Sequence, residues 1–314
     1  MENLSVIGCG TMGHSIALAA AWSGHFVKVF GLSDDEVGGA VKGIENKLSV
    51  MVDNQLFSKE EASRISSAIH FTTSLTETAK DATFMIECIP ENLLLKQELY
   101  HQLERIVPED TIIASNTSGL LPSDLSESMK FPNRFIVTHF WNPGHLIPLV
   151  EVVKGANTDE KTLERTMVLL KEINKRPVLV QKEIPGFIGN RLQYALFREA
   201  QALLDEGVAT KEDIDAAVTY SIGRRLPVTG PLMTADMGGL DIFSAISDYL
   251  FRELSDVKES GETLRSLVED KKLGDKSGEG FYKWDESFSK EMNAEREQTL
   301  IHFLKMDVKS QKEQ

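Results

Sequence analysis

The sequence predicts an α/β doubly wound N-terminal domain that carries an inserted helical hairpin, followed by an all-α C-terminal domain. Three observations support this: short apolar runs alternate with helical segments in the first half, a glycine-rich turn follows the first run, and the second half has helical periodicity. Buried strands separated by helices are typical of a largely parallel sheet covered on both faces. The length of 314 residues suits two domains, which we assign to residues 1–183 and 184–314.

Short apolar runs predict the strands of the first domain, and apolar residues at helical spacing predict its helices. The runs that qualify as strands are residues 4–7, 27–30, 83–89, 111–114, 135–138 and 149–153. An Ala-rich helix is expected over residues 12–24. Residues 34–70 are much longer than a usual connection between strands, and Ile44, Leu48 and Met51 recur there at helical spacing. We interpret this segment as a helical hairpin inserted after the second strand.

The second domain is predicted to be helical from Pro185 and Gly186 onward. Apolar residues recur at helical spacing between residues 187 and 204. Thr210 is placed to cap a further helix over residues 211–220, whose first turn is acidic, as the helix dipole favours. Nothing in this half has the pattern of a strand.

Composition and charge exclude several classes of protein. Lys and Arg total 34 against 48 Asp and Glu, a net charge of −14, which argues against a nucleic-acid binder or a basic membrane-surface protein. Two cysteines, Cys9 and Cys88, cannot form a disulfide framework and have no metal-type spacing, so no metal site is expected. The N-terminus lacks the basic start of a signal peptide, and no apolar run reaches the roughly 18 residues of a membrane span. We therefore expect a cytoplasmic protein with no membrane or nucleic-acid partner.

A G-x-G-x-x-G motif lies between the first strand and the first helix. Gly8 permits a tight turn, Gly10 allows a close approach to a pyrophosphate, and Gly13 allows the helix to pack on the strand. Thr11 and Met12 complete the turn, and the helix N-terminus faces the anion. An ordinary glycine-rich turn is the alternative interpretation, but the strand–turn–helix context favours a Rossmann-type dinucleotide site.

The acid that usually holds the adenosine ribose is missing from its expected place. Gly31 stands at the end of the second strand, and Asp34 and Asp35 follow three and four residues later as open substitutes. A 2′-phosphate on the ribose would require arginine nearby, and the local sequence has none. NAD is therefore the expected cofactor.

Hydride transfer from the carbon of a CH–OH group also needs a base for the hydroxyl proton, which we expect beyond the carboxyl ends of the strands. His139 directly follows the run 135–138, and Glu151 lies inside the apolar run 149–153. A carboxylate within a buried strand is costly unless it is paired, and the imidazole is the obvious partner. A core histidine is the alternative interpretation, and the presence of Glu151 and the glycine motif together favours the base.

Two further polar groups are candidates for substrate contacts. Ser115, Asn116 and Ser118 follow the strand 111–114, where such residues also serve as ordinary caps and turns. Asn190 stands at the entry to the second domain, where a polar residue at a helix start is equally ordinary.

Taken together, these motifs resemble the L-3-hydroxyacyl-CoA dehydrogenase family, which includes lambda-crystallin, L-gulonate dehydrogenase and carnitine dehydrogenase relatives. The resemblance extends over residues 5–284. The motifs that carry it are residues 8–13, 87–92 with Lys96, 115–118, 139–143, 149–152, 185–191 and 278–282.

The resemblance implies a role for each matching residue. His139 would be the catalytic base and Glu151 its carboxylate partner, while Ser118 and Asn190 would bind the reacting oxygen of the substrate. The implied cofactor-binding residues, besides the glycine turn, are Glu91, Lys96, Ser115, Asn116, Asn142 and Lys276. The implied reaction interconverts a 3-hydroxy and a 3-keto substrate in fatty acid metabolism, and the helical domain would form a homodimer.

The choice between a CoA thioester and a free acid depends on local charge. CoA-active members use cations of the inserted hairpin to bind the phosphates of CoA. In this chain the hairpin segment holds only four Lys or Arg residues and seven Asp or Glu residues. Arg224 and Arg225 could bind a substrate carboxylate, or could be ordinary surface ion-pair residues. His145 also favours a free acid. The family favours 3-hydroxyacyl-CoA as first choice, with a free 3-hydroxy acid such as gulonate or carnitine as the alternative. A non-catalytic NAD-binding structural protein is a remote third, because the residues of the implied site are all present.

Overall fold

A computed structural model describes residues 2–312. The chain divides into two compact units, one built from the residues up to 188 together with those from 296 onward, and one built from residues 189–295. The first unit contains all the strands of the described chain, and the second is helical. The predicted α/β and all-α organisation is confirmed.

The division differs from the predicted boundary in its last segment. The final helix ends within the first unit, because its residues Ile301 and Leu304 are buried in the apolar core of that unit. The sequence analysis assigned these residues to the second domain, since their charged neighbours hide the apolar face. The first break in the chain lies at 188/189 rather than at 183/184.

Eight strands form one sheet in the order β3-β2-β1-β4-β5-β6-β7-β8. All neighbouring strands are parallel except β6 and β7, which are antiparallel. The strands are β1 Leu4–Ile7, β2 Val27–Phe30, β3 Ile69–Thr72, β4 Phe84–Glu87, β5 Ile112–Ser115, β6 Phe135–Phe140, β7 Leu149–Lys154 and β8 Arg176–Val180. The sequence analysis missed β3 and β8. Both lie at an edge of the sheet and are partly exposed, so neither is a continuous apolar run.

The helices of the first unit pack on both faces of this sheet as two apolar clusters. They are α1 Thr11–Trp22, α2 Asp34–Asp53, α3 Lys59–Ser67, α4 Leu75–Ala79, α5 Leu93–Glu104, α6 Pro122–Ser126, α7 Glu160–Glu172 and the end of the last helix. The inserted hairpin is α2 and α3, with Ile44, Leu48 and Met51 buried as expected. A capping box formed by Ser58 and Glu61 begins α3.

The second unit contains α8 Gly189–Asp205, α9 Lys211–Ala217, a π-helical turn Val218–Ile222, α10 Gly223–Arg225, α11 Pro231–Gly238, α12 Leu240–Leu250, α13 Glu262–Glu269 and the start of α14 Glu286–Lys312. Thr210 caps α9 through Asp213 N, as predicted. Among residues 189–295, all of which the structure describes, Ile214 is the single buried apolar side chain. Within the described chain, no helix combines the length and apolarity needed to cross a bilayer.

Candidate active site

The carboxyl ends of β1, β4, β5 and β6 meet at one edge of the sheet, because these strands are mutually parallel. In doubly wound folds ligands bind beyond this edge. The glycine turn follows β1 at this edge, a buried carboxylate ends β4, and a polar loop follows β5. The predicted catalytic histidine lies near the end of β6.

The glycine turn has the shape that a dinucleotide pyrophosphate requires. Gly8 has a φ of +101°, and a Cβ there would lie 2.8 Å from the carbonyl oxygen of Cys88. A Cβ on Gly13 would lie 1.8 Å from the carbonyl oxygen of Gly8, so only glycine fits. A Cβ on Gly10 would meet no atom within 4 Å, which leaves this side of the turn open. No side chain caps the start of α1 at Thr11, so its N–H groups can bind an anion.

The end of β2 explains why an acid is missing at position 31. Gly31 is buried, and a Cβ there would lie 2.7 Å from Sγ of Cys9 and 2.9 Å from Cγ2 of Val37. No side chain fits without displacing these groups. Asp34 and Asp35, the substitutes considered from the sequence, are exposed in the first turn of α2.

His139 and Glu151 lie opposite each other in the antiparallel pair of β6 and β7. Nδ1 of His139 lies 2.8 Å from Oε2 of Glu151, and both residues are buried. The ionised carboxylate can only accept, so Nδ1 carries the proton and Nε2 is the basic nitrogen. The sequence analysis placed His139 just after a strand. It lies within β6 instead, because pairing with β7 extends β6 to Phe140.

Two further groups hold the Glu151 carboxylate in place. The indole Nε1 of Trp141 donates to Oε2 over 3.2 Å, and the backbone N–H of Ile188 donates to Oε1 over 2.8 Å. The rings of Trp141 and Phe187 also pack against the imidazole, each with its centroid 5.7 Å away. Charge-assisted hydrogen bonds from several donors allow a carboxylate to remain ionised when it is buried. The imidazole is therefore fixed in both orientation and tautomer.

A second buried carboxylate, Glu87 at the end of β4, was not identified from the sequence. It accepts hydrogen bonds from Lys96 Nζ at 2.6 Å, Tyr100 Oη at 2.6 Å, Ser115 Oγ at 2.7 Å and the Ile89 backbone N–H at 2.7 Å. Burial, and then the nearby negative charge of Glu87, raises the pKa of Tyr100 well above its usual value. An acid at the end of an apolar strand was the available signal, comparable to the acid within an apolar run that pointed to Glu151.

The expected cofactor residues Lys96 and Ser115 are part of this buried network. Lys96 is 1% exposed, and its ammonium also donates to the carbonyl oxygen of Ile89 over 3.2 Å. Both side chains therefore help to hold the loops at the sheet edge, and their contact with a cofactor stays a prediction. Asn116 has a similar part, because its Oδ1 accepts from the Phe140 backbone N–H at 2.8 Å.

Glu91 links this network to the loop that carries Ser118. Its Oε1 accepts from the backbone N–H of Ser118 at 3.0 Å and from the hydroxyl of Thr117, while Oε2 lies 3.5 Å from Lys96 Nζ. Ser118 is exposed. The backbone of the loop is thus fixed while the predicted substrate-binding hydroxyl stays at the surface.

His145 lies in a buried polar cluster between α1 and the loop after β6. Its Nδ1 lies 2.8 Å from Ser15 Oγ, and burial, followed by the charges of Lys47 and Lys175, lowers its pKa to about 3. Lys175 donates to the carbonyl oxygens of Gly144 at 2.6 Å and Ile147 at 3.1 Å. Burial lowers the pKa of Lys175 to about 7. The imidazole of His145 therefore helps to hold the loop after β6 against α1, and the substrate class that the sequence analysis read from this residue stays a prediction.

The remaining predicted site residues are exposed or belong to the second unit. Asn142 is exposed after β6, and Asn190 lies in the first turn of α8. Lys276 is exposed in a short 3-10 turn. Arg224 and Arg225 are exposed in α10. The Arg224 guanidinium lies 5.3 Å from the centroid of the Tyr220 ring, and neither arginine joins an ion pair recorded for residues 2–312. The same residues contain no group of three or more His, Cys, Asp or Glu able to hold a metal ion.

Comparison with known proteins agrees with this geometry. Residues 3–184 match the family model for the 3-hydroxyacyl-CoA dehydrogenase NAD binding domain, and residues 186–284 match that for the 3-hydroxyacyl-CoA dehydrogenase C-terminal domain. A 5-formyl-3-hydroxy-2-methylpyridine 4-carboxylate 5-dehydrogenase of Mesorhizobium japonicum is 33% identical over 96% of both chains. The mitochondrial hydroxyacyl-coenzyme A dehydrogenase of Mus musculus is 36% identical over 90% of this chain and 91% of that protein.

A solved structure extends the comparison to three dimensions. The crystal structure of a 5-formyl-3-hydroxy-2-methylpyridine 4-carboxylic acid 5-dehydrogenase, described as an NAD⁺-dependent dismutase, superposes with a TM-score of 0.89 at 32% identity. It covers 98% of this chain and 99% of that chain. The similarity therefore includes both units as well as the glycine turn.

Proposed function

The chain belongs to the 3-hydroxyacyl-CoA dehydrogenase family. On this premise we propose that it is an NAD-dependent CH–OH dehydrogenase that acts on a free hydroxy acid, with His139 as the catalytic base and Glu151 as its carboxylate partner. The observation that carries the proposal is the buried 2.8 Å contact between Nδ1 of His139 and Oε2 of Glu151. A histidine whose Nδ1–H is held by a carboxylate presents Nε2 as the nitrogen that can accept a proton.

The turn from Gly8 to Gly13 would hold the pyrophosphate of NAD, and the oxidised cofactor would supply the hydride acceptor. Nε2 of His139 accepts the proton of the substrate hydroxyl as the C–H bond breaks. Glu151 stabilises the imidazolium that forms, while Trp141 and the backbone N–H of Ile188 keep the carboxylate in place. Ser118 presents its hydroxyl to orient the reacting oxygen. In the reverse direction His139 returns the proton to the oxygen of the keto substrate.

The charge of the inserted hairpin supports a free acid as the substrate. All seven acids of α2 and α3 are exposed, whereas Lys47 is only partly exposed and its Nζ lies 2.8 Å from Nε2 of His14. The hairpin therefore presents three exposed cations, Lys42, Lys59 and Arg64, among the seven acids. Binding of the CoA phosphates favours clustered cations. The pyridine carboxylate dehydrogenase among the relatives also bears a name that specifies a free carboxylate.

A CoA thioester is the second candidate, and a specific observation favours it. Both halves of the chain match models named for 3-hydroxyacyl-CoA dehydrogenase, and the mouse relative carries the same activity in its name. In this case the cations for the CoA phosphates would have to come from outside the hairpin.

Initial rates of NADH oxidation test the two substrate classes. We would compare acetoacetyl-CoA with free acetoacetate and other short 3-keto acids, and repeat each assay with NADPH. A kcat/KM for a free acid that exceeds that of the thioester supports the proposal. A thioester preference of orders of magnitude would overturn the free-acid assignment.

The proposal includes a homodimer formed through the helical unit. Leu232, Met237 and Phe251 in this unit are 84%, 76% and 70% exposed, and an excess of exposed large apolar side chains is typical of a unit that forms an interface. Sedimentation equilibrium should give twice the monomer mass, and Phe251→Glu should shift the equilibrium towards the monomer. A wild-type protein that remains monomeric at micromolar concentration would refute the dimer.

A further inference from the structure

The ribose of a dinucleotide is usually held by an acid at the end of the second strand of the fold. That position is Gly31, where Sγ of Cys9 and Cγ2 of Val37 occupy the space a side chain would need. A carboxylate that binds the ribose in this protein must therefore come from another residue.

Glu36 in the first turn of α2 places a carboxylate beside this strand end. Its side chain turns back along the chain, and Oε2 accepts a hydrogen bond from the backbone N–H of Leu32 at 3.0 Å. Leu32 directly follows Gly31, so the carboxylate of Glu36 is bound to the backbone one residue after the position that the acid usually occupies. Glu36 is exposed, and this hydrogen bond uses only one of its oxygens.

The same carboxylate is close to the glycine turn. The backbone N–H of Gly8 donates to the carbonyl oxygen of Phe30 over 3.0 Å, which ties the turn to the end of β2. Burial and, after it, the negative charge of Glu36 raise the pKa of the Cys9 thiol. Of the three acids in the first turn of α2, Glu36 is the one whose carboxylate accepts the backbone N–H of Leu32. Glu36 is thus distinguished from its two acidic neighbours by position.

We propose that the Glu36 carboxylate binds the hydroxyl groups of the adenosine ribose of NAD and, through its charge, disfavours the 2′-phosphate of NADP. The start of α2 does not depend on this side chain alone, because Ser33 Oγ caps the helix by accepting from the Glu36 N–H at 3.2 Å. Helix capping and ribose binding can therefore be separated by experiment.

The test measures binding of NAD, NADP and 2′-deoxy-NAD to the full chain without substrate, for wild type, Glu36→Gln and the matched control Asp35→Asn. Hydrogen bonds to a charged group contribute about 1.5–3 kcal/mol, so Glu36→Gln should weaken NAD binding by about tenfold or more. It should also reduce the preference for NAD over NADP and over 2′-deoxy-NAD, while Asp35→Asn leaves both ratios unchanged.

If Glu36→Gln leaves the affinity ratios of NAD to NADP and of NAD to 2′-deoxy-NAD unchanged, the proposal is overturned. This holds even if the melting temperature falls, because the carboxylate would then serve only the helix. Equal changes in Glu36→Gln and Asp35→Asn would overturn it too, since general charge would be responsible. The assay contains no substrate, so its result is independent of the substrate class proposed above.

Discussion

His139 in β6 faces Glu151 in β7 across the one antiparallel pair of the described sheet, with Nδ1 and Oε2 2.8 Å apart. Directly opposed residues on neighbouring strands are the closest side-chain neighbours that a sheet provides. The reversal of direction between β6 and β7 brings both residues to the edge where the glycine turn lies. The twelve-residue separation in sequence is thus converted into a fixed contact by backbone pairing.

His139→Gln should lower kcat by about 10²–10⁴-fold, as expected for loss of a general base. NAD affinity should remain nearly unchanged, because the pyrophosphate site lies on the glycine turn. Steady-state kinetics and titration with NAD measure the two effects. His101→Gln, a change at an exposed histidine of α5, is the control and should retain full activity. Undiminished turnover in His139→Gln would remove this residue from the mechanism.

Glu151→Gln should lower kcat because the imidazolium formed during the reaction loses its charged partner. Since Glu151 acts through His139, the double variant should lose little more activity than His139→Gln alone. Kinetics of the two single variants and the double variant provide this comparison. Independent, multiplicative losses would show that the carboxylate has a separate role.

Glu87→Gln should destabilise the first unit, because it removes the buried charged partner of Lys96 and leaves the ammonium with the exposed Glu91, 3.5 Å away, as its remaining recorded ion pair. Removal of one member of a buried ion pair costs about 3–5 kcal/mol. Equilibrium denaturation of Glu87→Gln and of the control Glu98→Gln, an exposed acid of α5, measures the difference. The control should change the free energy of unfolding by less than about 0.5 kcal/mol. Equal stability in both variants would mean that the network around Glu87 is dispensable.

His145 should make the protein sensitive to acid. Its pKa is lowered to about 3 by burial in the folded chain, whereas an unfolded histidine titrates near 6.5. Below pH 6.5 the unfolded state therefore binds the proton first, and the free energy of unfolding falls as the pH falls towards 3. Between pH 7 and pH 5 this one group should remove about 2 kcal/mol.

His145→Gln provides the comparison, because glutamine can still hydrogen-bond Ser15 but does not titrate. Denaturant midpoints at pH 7, 6 and 5 should fall less steeply in the variant than in the wild type. Parallel curves for the two proteins would mean that His145 binds its proton equally well in both states.

The predictability of these features follows from how local their causes are. The helix over α2 and the glycine turn depend on neighbouring residues and were predicted from them. Strand β8 begins with Arg176 and Pro177, and only its pairing with β7 makes it a strand. Glu87 was missed as a buried carboxylate because its donors Lys96, Tyr100 and Ser115 lie 9 to 28 residues away and meet only in the folded chain.

The absent acid at Gly31 is a case in which sequence comparison alone would suggest the wrong change. Gly31→Asp adds a Cβ 2.7 Å from Sγ of Cys9, and overpacking of this kind costs about 1–3 kcal/mol. We therefore expect a lower melting temperature for Gly31→Asp. Cys9→Ala removes the nearer of the two obstructing atoms, so the double variant should recover part of the loss and show a non-additive gain. Strictly additive effects in a thermal denaturation cycle would show that Cys9 does not exclude a side chain from position 31.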